Sequence, residues 1–240
     1  MNSIAVIPAR GGSKRIPNKN IKILGGFPAI AYPIKIAKSS GLFKKIIVST
    51  DNSEIANISK ELGAEVPFLR SAKLSDDFTV TVDVIADAAK YLIEQNIKFD
   101  YVCCIYPVTP LLKVERLHEA FKLITTGSWD YVFPALEFSS PIERSFKKNK
   151  SGKIEFTQEK FLNYRTQDIS KTFHDAGQFY FGKTEAWVSK KSMLNGNSTF
   201  IELDKYEALD IDSMQDWDFI DKILKLNNKT MAQLKNFSQY

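Results

Sequence analysis

Residues 2–20 have the sequence NSIAVIPARGGSKRIPNKN, and this stretch decides the class of fold. Its first part, residues 2–8, is an apolar run that predicts a buried strand, and Gly11 and Gly12 follow closely. A buried strand that leads into a glycine loop is typical of α/β proteins, whose ligands bind beyond the carboxyl ends of parallel strands. The loop carries four cations, namely Arg10, Lys14, Arg15 and Lys19. We therefore expect residues 9–20 to bind a ligand.

Apolar and amphipathic segments alternate downstream of this loop. Strands are predicted at 45–49, 65–69, 100–105 and 130–136, and helices at 28–40, 52–62, 79–95 and 113–126. Thr50 and Asp51 are candidate caps for the second helix, and Asp76 and Asp77 with Thr79 are candidate caps for the helix at 79–95. The alternation predicts βαβ units and a three-layer α/β fold with a mostly parallel sheet. Loops 9–20, 50–53 and 106–112 should then meet at one edge of the sheet.

The pattern changes at about residues 139–170. This segment is polar and rich in lysine, and its turn at Ser151-Gly152 predicts a hairpin that forms an arm outside the parallel sheet. The remainder of residues 1–227 is expected to form a single domain, with further strands at 177–182 and 199–203 and a last helix at 213–227. Residues 228–240 are expected to form a polar tail.

Charge is distributed unevenly along the 240 residues. The chain has 33 Lys and Arg and 28 Asp and Glu, which gives a formal net charge of +5. Residues 1–50 hold nine basic residues and no acidic one, so residues 51–240 are mildly acidic. A basic average would suggest nucleic acid or a membrane surface, but this distribution indicates a local anion site. Clustered cations on a glycine loop suit a polyphosphate, and the alternative is a basic surface loop.

Composition excludes several other classes of protein. With 44% hydrophobic and 25% charged residues the chain can form a sizeable core, which excludes extensive disorder. It has no apolar run of the ~18–20 residues that span a bilayer, and no signal-peptide pattern. Cys103 and Cys104 are adjacent and are expected to be buried strand thiols, not a disulfide or metal site. We expect a cytoplasmic protein without a membrane partner.

The C-terminal part contains a second charged motif, Asp210-Ile211-Asp212. In extended backbone the two carboxylates project to one side and Ile211 to the core. Such a pair suits Mg²⁺, which uses one or two carboxylates together with phosphate oxygens. The spacing alone equally fits a helix cap and a surface acid. The exposed face of the last helix is expected to carry Asp216, Asp218 and Asp221.

Two further residues are candidate sugar contacts. Arg165 could pair with a substrate carboxylate through two parallel hydrogen bonds, or it could be a surface residue of the arm. Gln178 precedes a predicted strand. Of the two histidines, His118 is expected to be structural and His174 is a weaker site candidate.

Four segments carry a resemblance to a known family. They are IPARGGSKRIPNKNI at 7–21, VPFLRSAKLSDDFT at 66–79, YPVTPLL at 106–112 and ALDIDSMQDW at 208–217. Together they resemble the signature segments of the nonulosonate cytidylyltransferases, the CMP-sialic acid synthetase family. YRTQDISKTFHDAGQFYFG at 164–182 is most similar to the pseudaminic acid subgroup, and Tyr106 stands where the sialic acid enzymes have Gln.

The resemblance implies a Rossmann-like nucleotidyltransferase fold and transfer from CTP to a nine-carbon 2-keto sugar acid. It also implies Mg²⁺, or Mn²⁺ as a substitute, held by Asp210 and Asp212, and a homodimer in which the 139–170 arm reaches the partner. The catalytic residues it implies are Arg10, Lys14, Lys19 and Asp212. The nucleotide-binding residues it implies are Ala9, Arg10, Gly11, Gly12, Ser13, Lys14, Asn20 and Arg70. The sugar-binding residues it implies are Tyr106, Thr109, Arg165, Gln178 and Tyr180.

Two alternatives stay open at this point. One is another sugar nucleotidyltransferase, specific for N-acetylneuraminate, legionaminate, 3-deoxy-manno-octulosonate or a hexose 1-phosphate. The other is a protein that binds nucleic acid through its basic loop, although the sequence has no recognised nucleic-acid motif.

Overall fold

A seven-stranded sheet forms the centre of the computed structural model, which describes residues 2–226. The strands are β1 (Ser3–Pro8), β2 (Ile23–Leu24), β3 (Phe27–Pro28), β4 (Ile46–Ser49), β5 (Tyr101–Ile105), β6 (Tyr131–Glu137), β7 (Phe146–Lys148), β8 (Ile154–Phe156), β9 (Phe173–Asp175), β10 (Phe179–Lys183) and β11 (Ser198–Glu202). The helices are α1 (Ala31–Ser40), α2 (Ser53–Glu61), α3 (Thr81–Glu94), α4 (Val114–Thr126), α5 (Thr184–Val188) and α6 (Met214–Leu226). Position 227 and the predicted tail 228–240 lie outside the described residues.

The sheet has the order β11-β6-β10-β5-β1-β4, and β9 pairs with β6. Pairings β1–β4, β1–β5 and β6–β11 are parallel. Strand β10 is antiparallel to both β5 and β6, and β9 is antiparallel to β6. Five of the seven strands therefore run in one direction, which confirms the predicted mostly parallel sheet.

Helices cover both faces of the sheet, and the alternation of β1 shows how. Ala5 and Ile7 project into a core formed with α1, α2 and α4, whereas Ile4 and Val6 project into a core formed with α3 and α5. Successive side chains of a strand point to opposite faces, so an entirely apolar strand needs cover on both. The predicted three-layer architecture is confirmed.

Two local predictions are wrong. The segment 65–69 is not a continuous strand, because only Glu65 and Leu69 make isolated bridges to the sheet; Pro67 between them has no N–H to donate. The cap of α2 is neither Thr50 nor Asp51 but Asn52, whose side-chain oxygen accepts from the second and third residues of the turn at 2.9 and 3.0 Å.

The 139–170 segment contains the predicted hairpin, made by the antiparallel pair β7 and β8. Short 3₁₀ turns flank it at Ile142–Arg144, Glu159–Phe161 and Thr166–Asp168. No residue from 139 to 170 is buried. The arm thus has no core of its own within this chain.

A third apolar cluster joins the N-terminal loop to the C-terminal helix. It contains Ile16, Ile211 and, from α6, Trp217, Ile220 and Leu224. Asp221 of the same helix accepts a hydrogen bond from the Gly25 N–H at 2.8 Å. The prediction that Asp221 is exposed is therefore wrong, since the α6 face that carries it packs on the β2–β3 turn. Asp218 is exposed as predicted.

Within residues 2–226 no helix has the length and apolar character needed to cross a membrane.

Candidate active site

A cavity of about 420 Å³ opens at the carboxyl edge of the sheet, where the three loops were expected to meet. It is lined by predicted site residues from distant parts of the chain: Arg10, Ser13, Lys14, Lys19, Asn20, Arg70, Tyr106, Thr109, Gln178, Asp210 and Asp212. Arg15, the fourth cation of the loop, also lines it, as do residues that were not predicted to belong to the site, among them Asp76, Asp77, Thr79 and Thr81.

The loop after β1 is held by its own side chains and by the loop after β4. The Gly11 N–H donates to Asp51 Oδ1 at 2.8 Å, and buried Asn20 donates to the Arg10 carbonyl at 2.8 Å. A Cβ on Gly11 would lie 3.0 Å from the Asn52 Cβ, so a larger residue would push the two loops apart. A Cβ on Gly12 would meet nothing within 4 Å, so this side of the loop is open.

Cations of the loop pair with carboxylates from other parts of the chain. Arg10 Nη1 lies 2.8 Å from Asp77 Oδ1, and Lys14 pairs with the other oxygen of the same carboxylate. The hydrogen bond from Lys14 and, less strongly, that from Arg10 hold the pKa of Asp77 below its usual value. Arg15 Nη1 lies 2.5 Å from Asp212 Oδ2. In the free protein, Asp77 and Asp212 therefore pair with loop cations that were predicted to bind an anion.

Arg70 and Lys19 are the more enclosed cations of the site. The Arg70 side chain is only 3% exposed, its Nε donates to Ser75 Oγ at 3.1 Å, and burial lowers its pKa. Burial also lowers the pKa of Lys19, while the negative charges of Asp212 and Asp210 act in the opposite direction. Desolvated cations interact more strongly with an incoming anion than hydrated ones do.

Asp210 and Asp212 both line the cavity while Ile211 between them is 2% exposed. This is the arrangement expected of extended backbone, with both carboxylates on one side. Among residues 2–226 no cluster of three or more His, Cys, Asp or Glu side chains could hold a metal. A pair of carboxylates beside a cavity fits Mg²⁺, because this ion takes its remaining ligands from water and substrate phosphates.

Tyr106 is the aromatic residue of the cavity lining, and other aromatic residues pack behind it. The Tyr106 hydroxyl lies 3.3 Å from Thr81 Oγ1, and burial raises the pKa of Tyr106 to about 12. Its ring packs against Tyr180 at 5.7 Å between centroids, and the Tyr180 hydroxyl donates to Asp175. Thr109 Oγ1 donates to the Tyr106 carbonyl at 3.2 Å. Burial keeps both tyrosine hydroxyls protonated, and these contacts fix their positions.

Some predicted residues lie outside the cavity. Ala9 is buried, and its N–H continues the sheet by donating to the Ser49 carbonyl at 2.9 Å. Neither Gly11 nor Gly12 lines the cavity, and Tyr180 lies behind Tyr106. Arg165 is on the arm, where its Nε donates to Asp168 at 2.8 Å.

Both histidines are exposed and outside the cavity. His118 lies on α4, and the His174 ring packs on Phe138 at 4.8 Å between centroids.

Sequence reasoning missed Asp51 and Asp77, since both were interpreted as helix caps. Asp76, beside Asp77, does form a local turn, in which its Oδ1 accepts from Thr79 N at 2.7 Å. An acid near the start of a helix gives the same signal whether it caps the helix or reaches across a cleft. The local sequence contains no sign that would separate the two.

Known proteins resemble this chain in sequence and in fold. The cytidylyltransferase family profile matches residues 4–238. The chain is 39% identical to the pseudaminic acid cytidylyltransferase of Campylobacter jejuni, over 96% of this chain and 99% of that protein. It is 30% identical to the CMP-N,N'-diacetyllegionaminic acid synthase of Legionella pneumophila, over 97% and 100% of the two chains. A structure of CMP:2-keto-3-deoxy-manno-octonic acid synthetase complexed with CTP superposes with a TM-score of 0.68, at 12% identity and covering 94% and 99%.

Proposed function

The chain belongs to the cytidylyltransferase family and is a CTP-dependent nucleotidyltransferase, and from this premise we propose that its acceptor is pseudaminic acid. The reaction forms the CMP-sugar and releases pyrophosphate, a step that serves surface glycan or flagellin glycosylation. The observation that carries the proposal is the near-full-length similarity to a pseudaminic acid enzyme, together with a cleft that has cations on one wall and a carboxylate pair on the other.

The basic loop would bind the triphosphate. Lys14, Arg10 and Lys19 line the cavity, and Lys14 and Arg10 can exchange Asp77 for phosphate oxygens. Ser13 and Asn20 would help to fix the nucleotide. Arg70, already desolvated, adds a fixed positive charge. Phosphoryl and nucleotidyl transfers depend mainly on positioning and charge neutralisation, so no covalent nucleophile is needed.

Asp210 and Asp212 would hold Mg²⁺, which when bound neutralises phosphate charge and polarises phosphate oxygens. The protein's contribution here is a fixed pair of carboxylates facing the basic loop. Asp212 would exchange its pairing with Arg15 for that cation, and the released guanidinium could turn to the triphosphate.

Tyr106 and Thr109 also line the cavity and would receive the sugar acid. The hydroxyl at C2 of the sugar attacks the α-phosphorus of CTP in line with the bond to the departing pyrophosphate. Tyr106 stands where the sialic acid enzymes have glutamine, so this position of the cavity would favour a nine-carbon acid other than N-acetylneuraminate.

We also propose that the arm pairs with a second copy of the chain. It has no buried residue, and it exposes large apolar side chains, including Phe146 at 60% and Ile154 at 64%. Arg165 would then bind the carboxylate of the sugar in the partner's cleft. Mixing Asp212→Asn chains with Arg165→Ala chains tests this, because each mixed dimer would contain one intact site. Recovery of activity on mixing is expected, and additive residual activity would contradict it.

The substrate assignment is tested with purified protein, CTP, Mg²⁺ and a panel of nonulosonic acids. Pyrophosphate release should be fastest with pseudaminic acid, and UTP or GTP should not replace CTP. Release with legionaminic acid or N-acetylneuraminic acid alone would assign the protein to that substrate instead. Release with no acid of the panel would refute the proposal.

A further inference from the structure

Glu207 lies three residues before the Asp210–Asp212 pair and has no counterpart among the predicted site residues. Its side chain is only 8% exposed, which is unusual for a carboxylate unless it is paired. Arg116 of α4 contacts one of its oxygens through Nε at 2.8 Å and Nη2 at 2.6 Å, and Lys113 pairs with the other. The hydrogen bonds from Lys113 and Arg116 more than offset the effect of burial and lower the pKa of Glu207.

The backbone of Glu207 is held as firmly as its side chain. Its N–H donates to the Asp204 carbonyl at 2.9 Å, and its carbonyl accepts from Gln178 Nε2 at 2.7 Å. Because a carbonyl can only accept, the amide orientation of Gln178 is fixed. The backbone carbonyl of Gln178 accepts a hydrogen bond from the Tyr106 N–H at 2.9 Å. Gln178 therefore connects the segment that leads to the acid pair with the loop that carries Tyr106.

The other end of the acid pair is also anchored. Asp216 Oδ2 accepts from Asp212 N at 3.1 Å and from Ser213 N at 2.7 Å, and Ile211 is buried between the two acids. The segment that carries the acid pair is thus held at one end by Asp216 of α6 and at the other end by Glu207. Two carboxylates can share one cation only if their spacing is maintained.

We propose that Glu207 and Gln178 are positioning residues that set the Asp210–Asp212 pair at its distance from the basic loop. Glu207 acts through its carboxylate on α4, and Gln178 acts through its amide on the Glu207 carbonyl. The inference rests on the proposed function for the task of the acid pair. It gives Gln178 a different role from the sugar contact that the sequence suggested.

The test compares Gln178→Met, which keeps side-chain length but removes the donor, with Gln95→Met at an exposed position on the C-terminal end of α3. Hydrogen exchange of residues 208–213 is measured in the free protein, and Mn²⁺ binding is measured by electron paramagnetic resonance with CTP present. Loss of one buried hydrogen bond should accelerate exchange, and weaken Mn²⁺ binding, by about 5- to 10-fold. Gln95→Met should behave as wild type.

Glu207→Gln provides a second variant, with Glu119→Gln as its control. Glu119 is another carboxylate on Arg116, at 2.9 Å, and it lies on α4 itself, whereas Glu207 and Asp204 come from the segment before the acid pair. Faster exchange of residues 208–213 is expected for Glu207→Gln only. Equal effects of the two substitutions would mean that the ion cluster stabilises α4 in general, and would overturn the inference.

Steady-state kinetics separate positioning from sugar binding. Gln178→Met should lower kcat about tenfold with the KM for the sugar acid changed less than about twofold, since one lost hydrogen bond acts on the cation site. A raised KM for the sugar acid, with Mn²⁺ affinity and exchange unchanged, would overturn the inference. If wild-type protein formed no CMP-sugar, the proposed function would fail, whereas exchange in the free protein would still decide the inference.

Discussion

The two charged walls of the cleft are held in different ways. On the basic wall, Lys14 is 79% exposed at its side chain and pairs with Asp77, a residue on a turn. On the acidic wall, the segment around Asp210 and Asp212 is anchored by the buried Glu207, by the buried Ile211 and by the Asp216 carboxylate. The basic wall thus has exposed side chains that can change partners beside the buried Arg70, whereas the acidic wall has a fixed backbone.

This difference matches what each wall must do. A triphosphate is long and flexible, and exposed lysine and arginine side chains can follow it at little cost, because exposed ion pairs contribute only ~0–1 kcal/mol. A small divalent cation requires ligands at set distances, so its carboxylates need a rigid support. Substitutions on each wall test this contrast, and the largest effect is expected on the acidic wall.

Asp212→Asn removes one charge from the fixed wall and should lower kcat about 10²- to 10³-fold, as expected when a group that stabilises transferring phosphate is lost. The increase in melting temperature caused by CTP should persist in part, because the basic wall is intact. Pyrophosphate release and thermal shift measure the two effects. Asp218→Asn, on the exposed face of α6, is the control. Activity of Asp212→Asn within threefold of wild type would contradict the assignment.

Lys14→Ala removes an exchangeable cation and should raise the KM for CTP about 10- to 30-fold, which corresponds to one charge-assisted hydrogen bond. The melting temperature of the free protein should barely change because the Lys14–Asp77 pair is exposed. Lys60→Ala on the exposed side of α2 is the control. If the KM for CTP were unaffected, the exposed cation would have no part in binding.

Asp77→Asn should make CTP bind about 3- to 10-fold more tightly. In the free protein this carboxylate occupies Arg10 and Lys14, and the triphosphate must displace it; the gain corresponds to one exposed ion pair with two cations. Calorimetric titration with CTP in the absence of acceptor measures it, with Glu61→Gln as a control for lost negative charge. Weaker binding would show that Asp77 supports the loop in the bound state as well.

Glu207 should give the fixed wall a dependence of stability on pH. Its pKa in the folded protein is below the ordinary 4.5, so the unfolded chain binds this proton more tightly. The stabilisation is therefore fully present above that ordinary value and is lost as pH falls through the lower folded pKa. The melting temperatures of wild type and Glu207→Gln should differ by several degrees at pH 7, and the difference should shrink as the pH falls below 4.5. A constant difference would contradict the lowered pKa.

Much of the fold and part of the site could be predicted from local sequence. The run 4–8 (IAVIP) has no polar position, which requires a strand covered on both faces, and the glycine loop after it places the ligand at the carboxyl edge. Ile211 between two aspartates predicts two carboxylates on one side of an extended chain, as observed. Cap assignments failed at Asp51 and Asp77, because capping and long-range pairing use the same residue types.

The sequence by itself determined the order of strands and helices, the basic loop and the acid pair, because hydrophobic periodicity and residue type are local properties. Only the tertiary structure decided that these charges face one another. Ile16, inside the basic segment, and Ile211, inside the acidic pair, are buried in one apolar cluster with α6. Because Ile16 and Ile211 are buried together, the charged residues next to them also come close to one another. Arg15 therefore pairs with Asp212, although the two residues are nearly 200 positions apart in the chain. Contacts between residues so far apart in the chain depend on which surfaces pack together, and the periodicity of the sequence does not predict that packing.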